Sequence, residues 1–255
     1  MTASHATAAP TGTLAWARES MGAMTARDRR GFIRQAISMQ ANMAGSLLFR
    51  RNRIAVDIDS IQTPDSALCK NAERLCAQVS PVPLFNHCAR AYVWGCIFAR
   101  HAGITFDAEL YYAACMLHDL GLTDAYRDCA RHGECFTLDS VEGASALAKD
   151  AGWDVARQDA LAEAILLHMN VVVGLEHGAE AHLLHESASL DCLGMRAWEI
   201  TKDTRRAVVA RHPRGEIKPL LLDVFGAEAR RRPQCRSAFL IRYLLFRPLV
   251  RMAPF

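Results

Sequence analysis

The sequence lacks any apolar run long enough to cross a membrane. Its most apolar late segment, residues 239–246, is interrupted by Arg242 and closed by Pro248, whereas a membrane-spanning helix needs roughly 20 apolar residues. We interpret this segment as a helix that packs on the core, and we expect no membrane partner. Residues 1–13 are rich in Ala, Thr and Ser and lack the charged and apolar regions of a signal peptide. The sequence therefore predicts a disordered tail and no export.

The sequence also lacks a strong net charge and a framework of paired cysteines. Its formal net charge is +3, much weaker than the basic excess of a dedicated nucleic-acid-binding protein. We therefore expect no nucleic-acid partner, and we interpret the arginines at 230–232 as part of a solvated turn. The nine cysteines are an odd number and form no CxxC pair, which is typical of reduced thiols in the cytoplasm. Glycine-rich phosphate-binding loops are also missing.

Apolar residues recur with helical spacing along most of the chain. In the segment that opens at Thr105 or Asp107, positions 110, 113, 114 and 117 follow the i, i+3, i+4, i+7 rule, and Gly121 follows as a stop. Similar stripes predict further helices over 81–103, after an N-cap at 154, and from about 179. Only residues 171–173 resemble a strand, and a lone tripeptide cannot form a sheet.

This periodicity predicts an all-α fold. We expect the tail at 1–13 to be followed by a single helical domain at 14–255. Within that domain, the region at about 64–198 carries the polar residues of interest, and further helices occupy 199–255.

Several polar residues lie on helical faces whose other members are apolar. His87, His168 and Asp191 each occupy such a stripe, while His118 and Asp119 lie together at a predicted helix end. A buried carboxylate needs a cation, a proton or several hydrogen-bond donors, because burying it alone carries a large desolvation cost. A single histidine on such a face is more often a hydrogen-bonded core residue than a ligand, so the adjacent pair is the more specific sign. We predict one divalent ion, zinc first and iron or manganese otherwise, held by His87, His118, Asp119 and Asp191.

The order His87, then His118-Asp119, then Asp191 resembles the HD-domain superfamily of metal-dependent hydrolases. Four stretches are similar to its cyanamide hydratase branch, namely 86–92, 115–123, 164–168 and 189–194. The resemblance covers about 64–198 and implies a helical bundle with the metal in its core. It also implies a hydratase that adds metal-activated water to a small nitrile, such as cyanamide, to give an amide or urea.

Two departures from the family pattern leave other functions open. Leu122 stands where many phosphate-cleaving members carry lysine or glutamate, and residues 139–143 differ from the hydratase pattern. One alternative is a phosphohydrolase acting on a nucleotide or small phosphomonoester, with Arg127, Arg131 and His132 as candidate phosphate contacts. Another is a metal-containing protein that binds a ligand without turnover.

The resemblance suggests catalytic residues beside the metal ligands. His168 is our candidate for holding the substrate or moving a proton, or else a core or supporting residue. Thr123 could offer a hydroxyl to the substrate, or could cap a helix. Arg90 could orient a carboxylate ligand, whereas a solvated face is the favoured interpretation for Glu142. We expect a small-molecule substrate and allow a homo-oligomer. Histidines at 132, 177, 182, 185 and 212 receive no catalytic role.

Overall fold

The structure is a computed structural model that describes residues 9–48, 54–130 and 132–255. The described residues form α-helices with short 3-10 turns, and an isolated bridge between Ile54 and Ile200 is their nearest approach to a sheet. The predicted all-α fold is therefore confirmed. The helices are α1 (Leu14–Ser20), α2 (Ala26–Leu48), α3 (Ala67–Val79), α4 (Val82–Ala102), α5 (Ala108–Leu117), α6 (Phe136–Asp150), α7 (Val155–Leu167), α8 (Ala179–Leu193), α9 (Lys202–Arg211), α10 (Ile217–Arg231), α11 (Arg236–Tyr243) and α12 (Phe246–Met252).

Local signals in the sequence set the ends of the helices that carry the site. The Asp107 side chain accepts hydrogen bonds from the first turn of α5, and Asp154 accepts one from Arg157 N at the start of α7, so both residues are N-caps. Gly103 and Gly194 follow α4 and α8 with φ of 67° and 73°, the left-handed conformation that ends many helices. The predicted positions of these helices are confirmed.

α4 is the central helix of the core. Most of its residues from His87 to Ala99 are buried, and it packs against α8 and α5. Gly95 lets α4 approach α5 closely, because a Cβ at this position would lie 1.7 Å from the hydroxyl of Tyr111. That hydroxyl donates to the backbone oxygen of Ala91 at 2.9 Å. The close contact fixes how the residues of α4 face those at the end of α5.

The apolar segment 239–246 differs from the single core helix that we expected. α11 ends at Tyr243, and Leu245 has a φ of 59° before α12 begins at Phe246. A left-handed residue cannot continue a right-handed helix, so the segment is divided between two helices. Tyr243 and Leu245 are 63% and 61% exposed.

Two other stretches are more tightly packed than the sequence suggested. Thr11 donates a hydrogen bond to Asp28, and Thr13 caps α1, so residues 9–13 of the expected tail contact the helices; residues 1–8 lie outside the described residues. The arginines at 230–232 are not simply a solvated turn, because Arg232 is buried and pairs with Asp139 at 2.7 Å.

Candidate metal centre

Three buried side chains converge between the middle of the bundle and the end of α5. His87 comes from α4, and His118 and Asp119 follow the last turn of α5. His87 Nε2 lies 3.3 Å from His118 Nε2, and Asp119 Oδ2 lies 3.2 Å from His118 Nε2 and 3.7 Å from His87 Nε2. These three residues form a group that could hold a metal ion.

The turn that follows α5 brings His118 and Asp119 to the same point. Asp119 has φ −108° and ψ 11°, and a 3-10 turn begins at the next residue. Gly121 makes this turn possible, because a Cβ there would lie 2.1 Å from the backbone oxygen of Phe136. The Gly121 N–H donates to Ser140 Oγ at 2.9 Å. α6 therefore supports the turn that carries the histidine–aspartate pair.

Hydrogen bonds at the far side of each imidazole ring determine which nitrogen faces the group. His118 Nδ1 lies 2.8 Å from the backbone oxygen of Cys115, and His87 Nδ1 lies 2.7 Å from Asp191 Oδ2. Because these oxygens only accept, both Nδ1 atoms carry the proton. When both rings are neutral, as metal ligation requires, both Nε2 atoms point lone pairs toward each other, an arrangement that a cation between them would stabilise.

The donor set fits a divalent ion. Donor atoms bound to zinc at about 2.0–2.1 Å in tetrahedral geometry lie roughly 3.3 Å apart, close to the observed separations. The second oxygen, Asp119 Oδ1, is buried and has no hydrogen-bond partner, which is costly for a carboxylate unless a cation is nearby. Burial alone would raise the pKa of Asp119, but His118, with His87 and His168 nearby, outweighs burial and lowers it. The carboxylate is therefore ionised and available as a ligand.

Asp191 lies behind His87 and not beside the three converging donors. Its Oδ2 contacts His87 Nδ1, and Arg90 binds both carboxylate oxygens at 2.8 Å. Trp94 Nε1 and Arg214 NH1 donate to Oδ1 at 2.9 and 3.0 Å. The structure thus does not bring Asp191 to the point where we expected four ligands to meet, because donors already occupy both of its oxygens.

His168 lies at the edge of the group. Its Nε2 is 3.8 Å from Asp119 Oδ1, and its ring contacts those of His118 and Phe136. Its Nδ1 donates to the backbone oxygen of Ile165 at 2.5 Å, so Nε2 is left as the acceptor. Burial, followed by the charge of His118, lowers the pKa of His168 to about 3. The ring is therefore neutral near pH 7.

Thr123 and Glu142 are not part of this arrangement. The buried hydroxyl of Thr123 donates to the backbone oxygen of Leu120 at 2.6 Å, so it closes the turn after Asp119 and does not line the cavity described below. Glu142 is exposed on α6, as expected for a solvated face.

A cavity of about 310 Å³ lies above the converging donors. His87, His118, Asp119 and His168 form part of its wall. Two of the candidate phosphate contacts do not line it, since Arg127 is paired with Asp124 and His132 is exposed. Arg131 lies outside the described residues. Among the described lining residues, the only arginine is Arg196, and its ion pairs with Glu186 and Glu199 neutralise its charge.

Several residues near the centre were not among those predicted from the sequence. His185 lines the cavity, and its Nδ1 lies 3.3 Å from the backbone oxygen of His168. Cys192 Sγ lies 3.7 Å from His87 Nε2, and burial raises the pKa of its thiol. Both follow Ala181 at helical spacing, a stripe that could have drawn attention to them. Arg214 comes from the segment between α9 and α10 and gave no comparable signal.

The comparisons with known proteins agree with this geometry. A family model described as HD domain matches residues 84–242. The chain belongs to the HD-domain family. The resemblance seen in the sequence is thereby confirmed at the level of the superfamily, and the match extends further toward the carboxyl end than residues 64–198. No curated protein shows significant similarity to this HD-domain chain.

Membership of the family implies a metal-dependent activity of the hydrolase type, and the buried His-His-Asp group fits the divalent metal that HD domains bind. Among the described helices of this HD-domain protein, none combines the length and the apolar character required to cross a bilayer.

Proposed function

We propose that this protein is a hydratase that adds water to the carbon of a nitrile group. His87 Nε2, His118 Nε2 and Asp119 would hold one divalent ion, with zinc as the first candidate. When bound, such an ion lowers the pKa of its water toward about 7 and so supplies a nucleophile near neutral pH. Two histidines and one carboxylate leave a position open for water, as in catalytic zinc sites; the same set also suits iron. Metal analysis of the purified protein distinguishes these ions.

Asp191 acts in this proposal through His87. Metal-binding histidines commonly donate their second N–H to a carboxylate, which fixes the tautomer and the ring orientation. Asp191 makes this contact, and Arg90 and Arg214 hold the carboxylate in place. The two arginines also offset the charge of Asp191, so Asp119 supplies the uncompensated negative charge that a cation requires.

His168 positions the attacking water, because a buried ring with so low a pKa accepts a hydrogen bond from the water but is a poor base. Its ring is neutral, and its free Nε2 lies on the cavity wall beside Asp119. The C–O bond forms as one π bond of C≡N breaks, and one proton of the water moves to the nitrogen of the substrate. Transfer of the remaining hydroxyl proton to the same nitrogen gives the amide. The sum, R–C≡N + H₂O → R–CONH₂, requires no further reactant.

The observation that favours this chemistry over phosphate cleavage is the charge of the cavity. A phosphate ester needs cationic partners. Among the described lining residues, Arg196 is the only lysine or arginine, and an ion pair with Glu186 neutralises it. Leu122 is also buried and apolar. A nitrile is uncharged and needs no such partner.

The test is an assay of zinc-loaded protein on two substrate panels. Formation of amide from nitriles, or of urea from cyanamide, with no phosphate release from nucleotides supports the proposal. Phosphate release without nitrile turnover contradicts it. Inertness toward both panels, with the ion bound, favours a protein that binds a ligand without turnover.

A further inference from the structure

The cavity is too large for the smallest substrates of this chemistry. Its volume is about 310 Å³, whereas an apolar cavity of about 150 Å³ is enough to take up benzene. Cyanamide has three non-hydrogen atoms and would leave most of this space to water. The volume instead fits a ligand with a body of about ten non-hydrogen atoms.

The wall of the cavity is divided by polarity. Its described charged side chains and histidines come from α4, the end of α5, and the region from the end of α7 through Arg196. Among the side chains that the structure describes, those contributed by α2 and by α10 to α12 are apolar except for the hydroxyl of Tyr243, and they include Ala36, Met39, Phe225, Leu240 and Phe246. A ligand that matches both parts has a polar group at one end and an apolar body.

The polar groups of the wall are largely engaged with the protein itself. Asn170 donates to the backbone oxygen of Thr11 and accepts from Arg236, and Arg196 is paired with Glu186. A charged or strongly hydrogen-bonding body would find few free partners here, and burying it would carry a desolvation cost. The body of the ligand is therefore uncharged.

Apolar side chains also line the entrance. Leu245 and Tyr243 line the cavity and are nevertheless more than half exposed. Leu245 adopts a φ of 59°, which is unusual for a residue other than glycine, and the break between α11 and α12 holds it there. An apolar ligand would contact these side chains as it enters.

We infer that the substrate is an uncharged amphiphile, a nitrile whose carbon lies at the His87–His118–Asp119 group and whose alkyl or aryl body fills the apolar part of the cavity. The identity of the reacting group rests on the proposed function. The apolar body rests on the cavity alone, and each methylene that enters it contributes about fourfold to affinity.

The test compares straight-chain nitriles from acetonitrile to nonanenitrile with the corresponding primary amides, using zinc-loaded protein. We expect kcat/KM for the nitriles to rise about fourfold per methylene until the cavity is full, and the Kd of the amides, measured by calorimetry, to fall in parallel. If amide affinity rises with length but no nitrile is converted, the cavity assignment stands and the hydratase fails. If nitriles are converted but neither kcat/KM nor Kd depends on chain length, the inference of an apolar substrate body is wrong and the proposed hydratase activity stands.

Neighbouring residues on α2 provide matched variants. Ala36 lines the cavity, whereas Ile37 is 64% exposed. Ala36→Phe should lower the ratio of kcat/KM for nonanenitrile to that for propionitrile at least tenfold, and Ile37→Phe should leave this ratio within twofold of wild type. Met39→Ala, which enlarges the cavity, should move the optimum to a longer chain and serves if Ala36→Phe does not fold. An unchanged length optimum in every folded wall variant overturns the inference.

Discussion

Arg90 and Asp191 form a bidentate ion pair that is entirely buried. Arg90 Nε and NH2 lie 2.8 Å from the two carboxylate oxygens, and both side chains are 0% exposed. Removing one charge of such a pair leaves the other uncompensated in the interior. Asp191→Asn should therefore lower the free energy of unfolding by about 3–5 kcal/mol, measured by urea denaturation without zinc. Asp203→Asn, in an exposed pair with Arg206, is the control and should change it little.

The same variant separates two roles for Asp191. If it orients His87 from behind, Asp191→Asn should weaken zinc binding by about 10–100-fold, and protein saturated with zinc should still contain one ion. Complete loss of zinc binding would instead make Asp191 a ligand. Competition with a metal-sensitive dye gives the affinity.

The group of three donors predicts how the metal affects stability. Zinc that binds the folded chain should raise the Tm, by an amount that grows with zinc concentration. His118→Gln removes one donor and should abolish both this increase and the bound zinc. His101→Gln, on an exposed side chain of α4, should behave like wild type. A Tm increase that survives in His118→Gln would show that zinc acts at another place.

The approach of α4 to α5 makes Gly95 sensitive to the smallest substitution. Gly95→Ala places a methyl group on the Tyr111 hydroxyl, at 1.7 Å before relaxation, so we expect a loss of at least about 1–3 kcal/mol. Tyr111→Phe removes the clashing oxygen, and the double variant should recover part of this loss. A Cβ added at Gly31 in α2 would meet no atom beyond those of its own helix backbone, so Gly31→Ala should stabilise the protein by up to about 1 kcal/mol. Thermal unfolding of the four variants tests this, and additive effects of the two core substitutions would contradict it.

Buried His185 predicts a loss of stability in acid. Burial lowers the pKa of His185 in the folded protein, while the unfolded chain keeps an ordinary pKa near 6.5. Below that value, the unfolded chain binds a proton that the folded protein does not. The free energy of unfolding therefore decreases as the pH is lowered, by at most about 1.4 kcal/mol per pH unit for one group. His185→Gln should lose less stability than wild type between pH 8 and pH 5. Urea denaturation at pH 8 and at pH 5 gives this loss for each protein, and an equal loss in wild type and in His185→Gln would contradict this assignment.

The fold was largely predictable because its helix ends are encoded locally. Asp107 and Asp154 cap helices with their own side chains. Gly103 and Gly194 end helices in the left-handed conformation, which glycine adopts more easily than other residues. The break at Leu245 was not predictable. An apolar run gives no sign of a left-handed leucine, which depends on packing against distant helices.

The candidate site was predictable in its members but not in its geometry. The sequence showed that His87, His118 and Asp119 face inward, since each lies on an apolar stripe or at its end. Which oxygen or nitrogen meets which neighbour depends on residues far apart in the chain. Arg214, from the segment after α9, donates to Asp191 on α8, and no local pattern in the sequence predicts this contact or the one between Asp191 and His87 Nδ1.

His168 and Thr123 were both candidates for catalysis, and the structure gives them different expected phenotypes. His168 faces the cavity with a free Nε2 that accepts a hydrogen bond from the attacking water, so His168→Gln, which misplaces this acceptor, should lower kcat on a nitrile by up to about 10²-fold without loss of zinc. Thr123 donates its hydroxyl to Leu120 within the turn, so Thr123→Val should lower stability by about 1–3 kcal/mol and leave kcat within a few-fold of wild type. Zinc content, kcat and urea denaturation of both variants separate the roles. A large loss of kcat in fully folded Thr123→Val would require its hydroxyl to reach the substrate, which the bond to Leu120 opposes.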